Sequence, residues 1–155
     1  MEQNIVNQDK NKDRIIHILL VDDDHNIVLI NQMLFEQMKY VVHPAHNGKE
    51  AIELIKEYHD VIDVIITDYL MPGMNGIELA IEASKYLVDT PIILFTGRAG
   101  LIDEKQIAEA HISKVIIKPC KINDLDMSIK RVLGVKEEAN LLQSSAHNRE
   151  YDHGK

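Results

Sequence analysis

At 155 residues, with 17 basic and 25 acidic side chains, the chain carries a formal charge of −8. It is long enough for one well-cored domain and has the wrong sign for a surface that grips nucleic-acid phosphates. Hydrophobic residues at 45% and charged ones at 27% exclude a disordered or fibrous chain, a single cysteine excludes an internal disulfide, and no apolar run is long enough for a membrane span or secretory signal, so a cytoplasmic address is expected.

Residues 1–14 are polar, with three acids and three bases, and form a loose leader. The first strand is expected over 15–21, ending at Asp22, Asp23 and Asp24. A helix follows with Ile27, Ile30, Leu34 and Met38 as its apolar stripe, and Asp24 is placed to cap it. The second strand, 41–45, contains Pro44, which cannot donate to a ladder and so belongs at a sheet edge. Its helix buries Ala51, Leu54, Ile55 and Tyr58. The third strand, 61–67, ends at Asp68, and a turn rich in proline and glycine leads to a helix striped by Ile77, Ala80, Ile81 and Ser84. The fourth strand, 91–95, ends at Thr96. A polar stretch through Gly97, Arg98, Ala99 and Gly100 then leads to a weakly patterned, short or mobile helix over 103–110. The fifth strand, 115–117, ends at Lys118, whose bond to Pro119 is a candidate cis peptide, and a last helix buries Ile122, Leu125, Ile129 and Leu133. Residues 134–155 form a polar tail with charge −1, at most an extension of the last helix, which leaves −7 on 15–133.

Short Val- and Ile-rich runs alternating with helical stripes specify a doubly wound α/β domain, a parallel five-stranded sheet covered on both faces. With the Pro44 strand at an edge, the strand order is 2-1-3-4-5, the flavodoxin-like arrangement, and chemistry is expected beyond the carboxyl ends of the strands. Every strand facing that crevice delivers a polar group: Asp22 and Asp23, Asp68, Thr96 and Lys118. Isolated buried charge is costly unless it is paired or bound to metal, so these side chains call for a common ligand. Carboxylates from two neighbouring strands supply the hard oxygens that Mg²⁺ prefers, and a divalent cation would relieve their mutual repulsion. Asp68 is then the nucleophile, and attack on a phosphoryl donor gives an aspartyl phosphate. The metal, the Lys118 ammonium and the Thr96 hydroxyl are the groups that neutralise the equatorial oxygens.

Four segments, ILLVDDD, IITDYLMPGMNGIEL, PIILFTG and VIIKPC, together resemble a response regulator receiver domain, the phosphoacceptor module of two-component signalling, over residue 15 to about 133. The resemblance implies that Asp22 and Asp23 hold Mg²⁺ with Asp68 and the backbone carbonyl of Leu70. It also implies that Asp68 is phosphorylated, that Thr96 is the switch hydroxyl and that Lys118 binds the phosphoryl group. A sensor histidine kinase or phosphotransfer protein is the implied donor, in a phosphorelay or as part of a hybrid kinase. An unidentified downstream protein is the implied target, with no direct DNA or membrane contact, and the chain catalyses its own phosphotransfer without being a turnover enzyme. Two positions depart from the family: Val115 stands where an aromatic residue often precedes the lysine, so switching by a ring is not implied, and Cys120 stands where a bulkier apolar side chain is common. Leu70, two beyond the acceptor, is apolar and cannot orient a water, which predicts a long-lived phosphoaspartate.

Other readings fit the residues less well. A haloacid dehalogenase type phosphatase needs a second aspartate at position 70, and a flavodoxin-like binding module needs a phosphate-cradling loop where three aspartates stand. The run DDDHN lacks the glycine and glutamate of a calcium loop. His43, His46 and His59 read as surface residues rather than zinc ligands, and Cys120 as a small apolar filler.

Overall fold

The computed structural model describes residues 14–135. In chain order the elements are β1 (His17–Val21), α1 (His25–Gln37), β2 (Val41–Ala45), α2 (Gly48–Tyr58), β3 (Val64–Thr67), α3 (Gly76–Ala83), β4 (Ile92–Thr96), α4 (Glu104–Glu109), β5 (Lys114–Ile117) and α5 (Ile122–Val132), with a 3₁₀ turn at Ala99–Leu101 before α4. All strand pairs are parallel and the order is β2-β1-β3-β4-β5, so Pro44 does lie on an edge strand.

Strand alternation divides the core into two layers. Leu19, Val21, Ile65 and Leu94 face α2 and α3 through Ala51, Ile55, Leu79 and Ala80. Ile18, Leu20, Ile66 and Ile93 face α1 and α5 through Val28, Phe35, Leu125 and Ile129. The central strands are buried on both sides, as their unbroken Val and Ile runs require.

Three expectations need correction. The first concerns α1, which turns Val28 and Phe35 inward and leaves Ile30 57% exposed, because nearly every position from 27 to 30 is apolar and the largest ring takes the core. In α3 the buried face is Ile77, Leu79, Ala80 and Ala83, while Ile81 and Ser84 face outward. The third strand starts at Val64 rather than 61, because the Asp63 carboxylate accepts the His17 backbone N–H at 2.8 Å and pairs with Arg14. That ion pair also ties Arg14, assigned to the leader, to the folded body.

Local chemistry sets the helix ends. Asp24 caps α1 by accepting from the N–H groups of Asn26 and Ile27 at 2.9 and 3.3 Å, and reciprocal capping boxes open α3 (Asn75 and Glu78) and α4 (Asp103 and Gln106). At the far end α5 does not run on into the tail. Gly134 adopts φ +68°, and the N–H of Val135 reaches back to the Lys130 carbonyl at 2.9 Å, closing the helix with a left-handed turn. The rest of the leader and tail lies outside the described residues. Among the described residues no helix is long and apolar enough to cross a membrane.

Candidate phosphoacceptor site

The carboxyl ends of β1, β3, β4 and β5 bring the site together. Backbone bonds fix the strand ends: Asp22 N–H donates to the Ala45 carbonyl at 3.2 Å, Asp68 N–H to the Val21 carbonyl at 2.9 Å, and Lys118 N–H to the Thr96 carbonyl at 3.0 Å. One carboxylate oxygen from each of Asp22, Asp23 and Asp68 lies within 4.8 Å of the others. Asp22 is buried, Asp68 half-buried and Asp23 exposed, so the cluster opens toward solvent on one side.

Lys118 closes the other side. Its Nζ lies 2.5 Å from Asp22 Oδ2 and 3.3 Å from Asp68 Oδ2, bridging segments 96 and 50 residues away in sequence. The bond from Lys118 to Pro119 is cis, and Nζ stands 5.1 Å over the Phe95 ring. Burial raises the Asp22 pKa above the ordinary aspartate value, against the opposing pull of the Lys118 and Asp24 hydrogen bonds. Asp68 Oδ1 accepts the Tyr69 N–H at 2.7 Å. Thr96 is fully buried, and its Oγ1 accepts the Arg98 N–H at 3.1 Å, which leaves the hydroxyl proton free to donate. Leu70 lies 51% exposed beside Asp68.

The turn after Asp68 depends on Gly76. A Cβ there would stand 2.3 Å from the Asp68 carbonyl oxygen, and the Gly76 N–H binds the Tyr69 carbonyl at 2.8 Å. Only glycine allows α3 to start this close to the Asp68 backbone.

The structure thus brings together Asp22, Asp23, Asp68 and Lys118, and places Thr96 on the neighbouring strand end. Sequence reasoning placed Gly76 in the turn after Asp68 but missed its close approach to the Asp68 carbonyl, and it missed Phe95 beneath the lysine. It also missed the pairing of histidines: His25 and His46 stack at 3.9 Å, and His17 and His43 meet further down the sheet. His43 and His46 are therefore half-buried rather than surface residues, whereas His59 is exposed. Val115 is partly buried against the core, so an aliphatic side chain fills the position before the lysine. Cys120 is half-buried with its thiol pKa raised by burial, in keeping with a packing role.

A family-model comparison matches residues 18–130 to the response regulator receiver domain. The transcriptional regulatory protein SrrA of Staphylococcus aureus is 29% identical over 133 residues, which cover 86% of this chain and 54% of SrrA. ARR21 of Arabidopsis thaliana is also 29% identical, over 21% of its length, so the chain spans between a fifth and about half of these curated relatives. Among solved structures, the CheY-like receiver domain protein of Methanospirillum hungatei JF-1 superposes with a TM-score of 0.72 at 29% identity, covering 78% of this chain and 95% of that one. The chemotaxis protein CheY4 of Vibrio cholerae gives 0.71 at 25%, covering 77% and 99%. TrrA of Thermotoga maritima, solved in complex with Mg²⁺-BeF, gives 0.67 at 29%, covering 76% and 99%. With the parallel sheet and the acidic cluster at its carboxyl edge, these matches show that the chain belongs to the response regulator receiver domain family.

Proposed function

We propose that the chain accepts a phosphoryl group from a phosphohistidine donor onto Asp68, with Mg²⁺, and relays the change to a protein partner. The observation that carries this reading is the Lys118 ammonium held between Asp22 and Asp68 at 2.5 and 3.3 Å, a cation already at the point where phosphoryl charge would arrive. In the transfer an Asp68 oxygen forms the O–P bond as the P–N bond breaks, and the imidazole leaves with the electron pair. Lys118 neutralises one phosphoryl oxygen, and the Thr96 hydroxyl donates to another.

The residues fit a divalent cation. Three carboxylates share one pocket, and the Asp22 pKa is raised by burial, which a cation would reverse. Asp22, Asp23 and Asp68, with the Leu70 carbonyl, would hold Mg²⁺, and the ion supplies charge neutralisation to the phosphoryl oxygens. Leu70 offers no group to orient an attacking water, which supports a persistent phosphoaspartate.

A protein donor suits the surroundings. α1 begins one residue past the acidic run and turns Leu29, Ile30 and Met33 to solvent, an apolar strip next to the pocket. On the output side, α4 buries none of its own residues, and Leu101 and Ile117 are exposed nearby, so the segment from Gly97 to Ile117 is the readiest to shift population and meet a partner. The phosphatase reading loses its second acid at Leu70.

The test is incubation with acetyl phosphate and Mg²⁺ followed by intact-mass measurement. Wild type should gain one phosphoryl group and Asp68→Asn none. Equal uptake by both would place the acceptor elsewhere.

A further inference from the structure

Away from the acidic pocket, the ring nitrogens of His17 and His43 meet at 3.0 Å across β1 and the edge strand β2. The ring planes lie within 21° with centroids 5.3 Å apart, so the two nitrogens point at one another head-on, the geometry of an N–H···N hydrogen bond. Both rings are half-buried, and His43 also packs at 4.6 Å on Tyr58 of α2. The titratable groups around the pair are Glu57 and Tyr58 from α2 and, before β3, Asp63, whose carboxylate is taken by the His17 N–H and Arg14. β3 itself, Val64–Thr67, adds no charge.

One proton is enough for an imidazole–imidazole bond. With both rings neutral, or with one extra proton, the bond holds. With two extra protons, both facing nitrogens are donors and both rings are positive. We propose that His17 and His43 form a proton-sensitive clasp that fastens β2, and through Tyr58 the end of α2, to β1, and that opens when the second ring is protonated. Burial and the neighbouring His17 both lower the His43 pKa, outweighing the pull of Glu57, so the second protonation is the disfavoured one.

The sign follows from linkage. As pH falls below the unfolded histidine value of about 6.5, the unfolded chain takes up a proton that folded His43 resists, so folding weakens until the lowered folded pKa is passed. Each unit of lowering costs about tenfold in the folding constant.

The experiment compares the full-length wild type with His43→Gln and His17→Gln, recording imidazole proton titrations and urea unfolding at about pH 7.5 and 5.5, either side of the free histidine value. In wild type the two rings should titrate in coupled steps, and His17→Gln should move His43 part of the way back up toward its ordinary value, burial keeping the rest of the lowering. Over this interval wild type should lose more of its folding constant than His43→Gln, by up to about tenfold, with His17→Gln in between because burial still lowers His43. Independent titration of both rings in wild type, or the same pH dependence in all three proteins, would overturn the proposal. His17 sits at the strand start, so its variant keeps the test decisive if His43→Gln fails to fold.

Discussion

Replacing Asp22 with Asn separates the two roles of the acidic pocket, because the same carboxylate that would hold a cation also burdens the metal-free fold. Asp22 and Asp68 carry oxygens no more than 4.8 Å apart. At that separation, and at an effective dielectric of about 20, two unit charges repel by roughly 3.5 kcal/mol. Both side chains are well shielded, so solvent screening does little to reduce this. Against it stands Lys118, whose attraction to Asp22 at 2.5 Å is roughly 6–7 kcal/mol on the same scale. Desolvation of the buried carboxylate, the leading cause of its raised pKa, takes back several kcal/mol. These terms nearly cancel, and Lys118 keeps Asp68 at 3.3 Å after the substitution. Without metal, Asp22→Asn should therefore lie within about 1 kcal/mol of wild type in urea unfolding. With Mg²⁺ the two should part: wild type gains about 2.7 kcal/mol at a hundred times the dissociation constant, and the variant gains little. The reasoning fails if the variant responds to Mg²⁺ as strongly as wild type. It also fails if the variant loses more than about 3 kcal/mol without metal, the cost of breaking a buried pair that was a net stabiliser.

Gly76→Ala should cost about 3 kcal/mol in urea unfolding, since its Cβ meets the Asp68 carbonyl oxygen, whereas Gly100→Ala meets nothing within 4 Å and should cost less than about 1 kcal/mol; equal losses would refute the distinction. Tyr40→Phe removes the hydroxyl that donates to buried Asp126 at 2.5 Å and should cost about 1–2 kcal/mol by the same measurement, while unchanged stability would show the bond to be idle. Leu70→Asn places a water-orienting amide beside the acceptor and should speed loss of acid-labile phosphate by roughly tenfold, well short of a positioned general base; an unchanged rate would remove Leu70 from the account.

The site was legible in the sequence because parallel α/β topology delivers the residue after each strand to one crevice. Asp22, Asp68, Thr96 and Lys118 could thus be placed together from the ends of apolar runs alone. The faces of α1 were not legible. Ile27, Val28, Leu29 and Ile30 occupy all sides of the helix, so periodicity names no unique inward direction, and the choice falls to the fit of Phe35 against Tyr40, whose rings meet edge-on at 5.8 Å. The start of β3 was hidden for another reason: whether Asp63 extends a strand or clamps its neighbour depends on Arg14 and His17, 49 and 46 residues away. The His17–His43 contact depends on register, with Leu19 opposite His43, and no spacing within either strand encodes that alignment.

On the proposed function, the asymmetry of the Lys118 contacts suggests how a receiver with Val115 in place of an aromatic ring can still transmit. The ammonium lies closer to Asp22 than to Asp68, so the resting charge balance holds the lysine over the carboxylate that is not the acceptor. A phosphoryl group on Asp68 adds negative charge on that side and draws Lys118 toward it. The lysine stands on a strand end joined to the switch segment: its backbone N–H donates to the Thr96 carbonyl, and Thr96 Oγ1 in turn accepts from the Arg98 N–H. If the Thr96 side chain rotates about its Cα–Cβ bond to bring the hydroxyl to the new phosphoryl oxygens, Oγ1 leaves the Arg98 N–H, which stands at the entrance to the 3₁₀ turn and α4, the least buried helix among the described residues. A charge added at one strand end would thus be converted into freedom in the segment whose helix buries none of its own residues, without a ring having to swing inward.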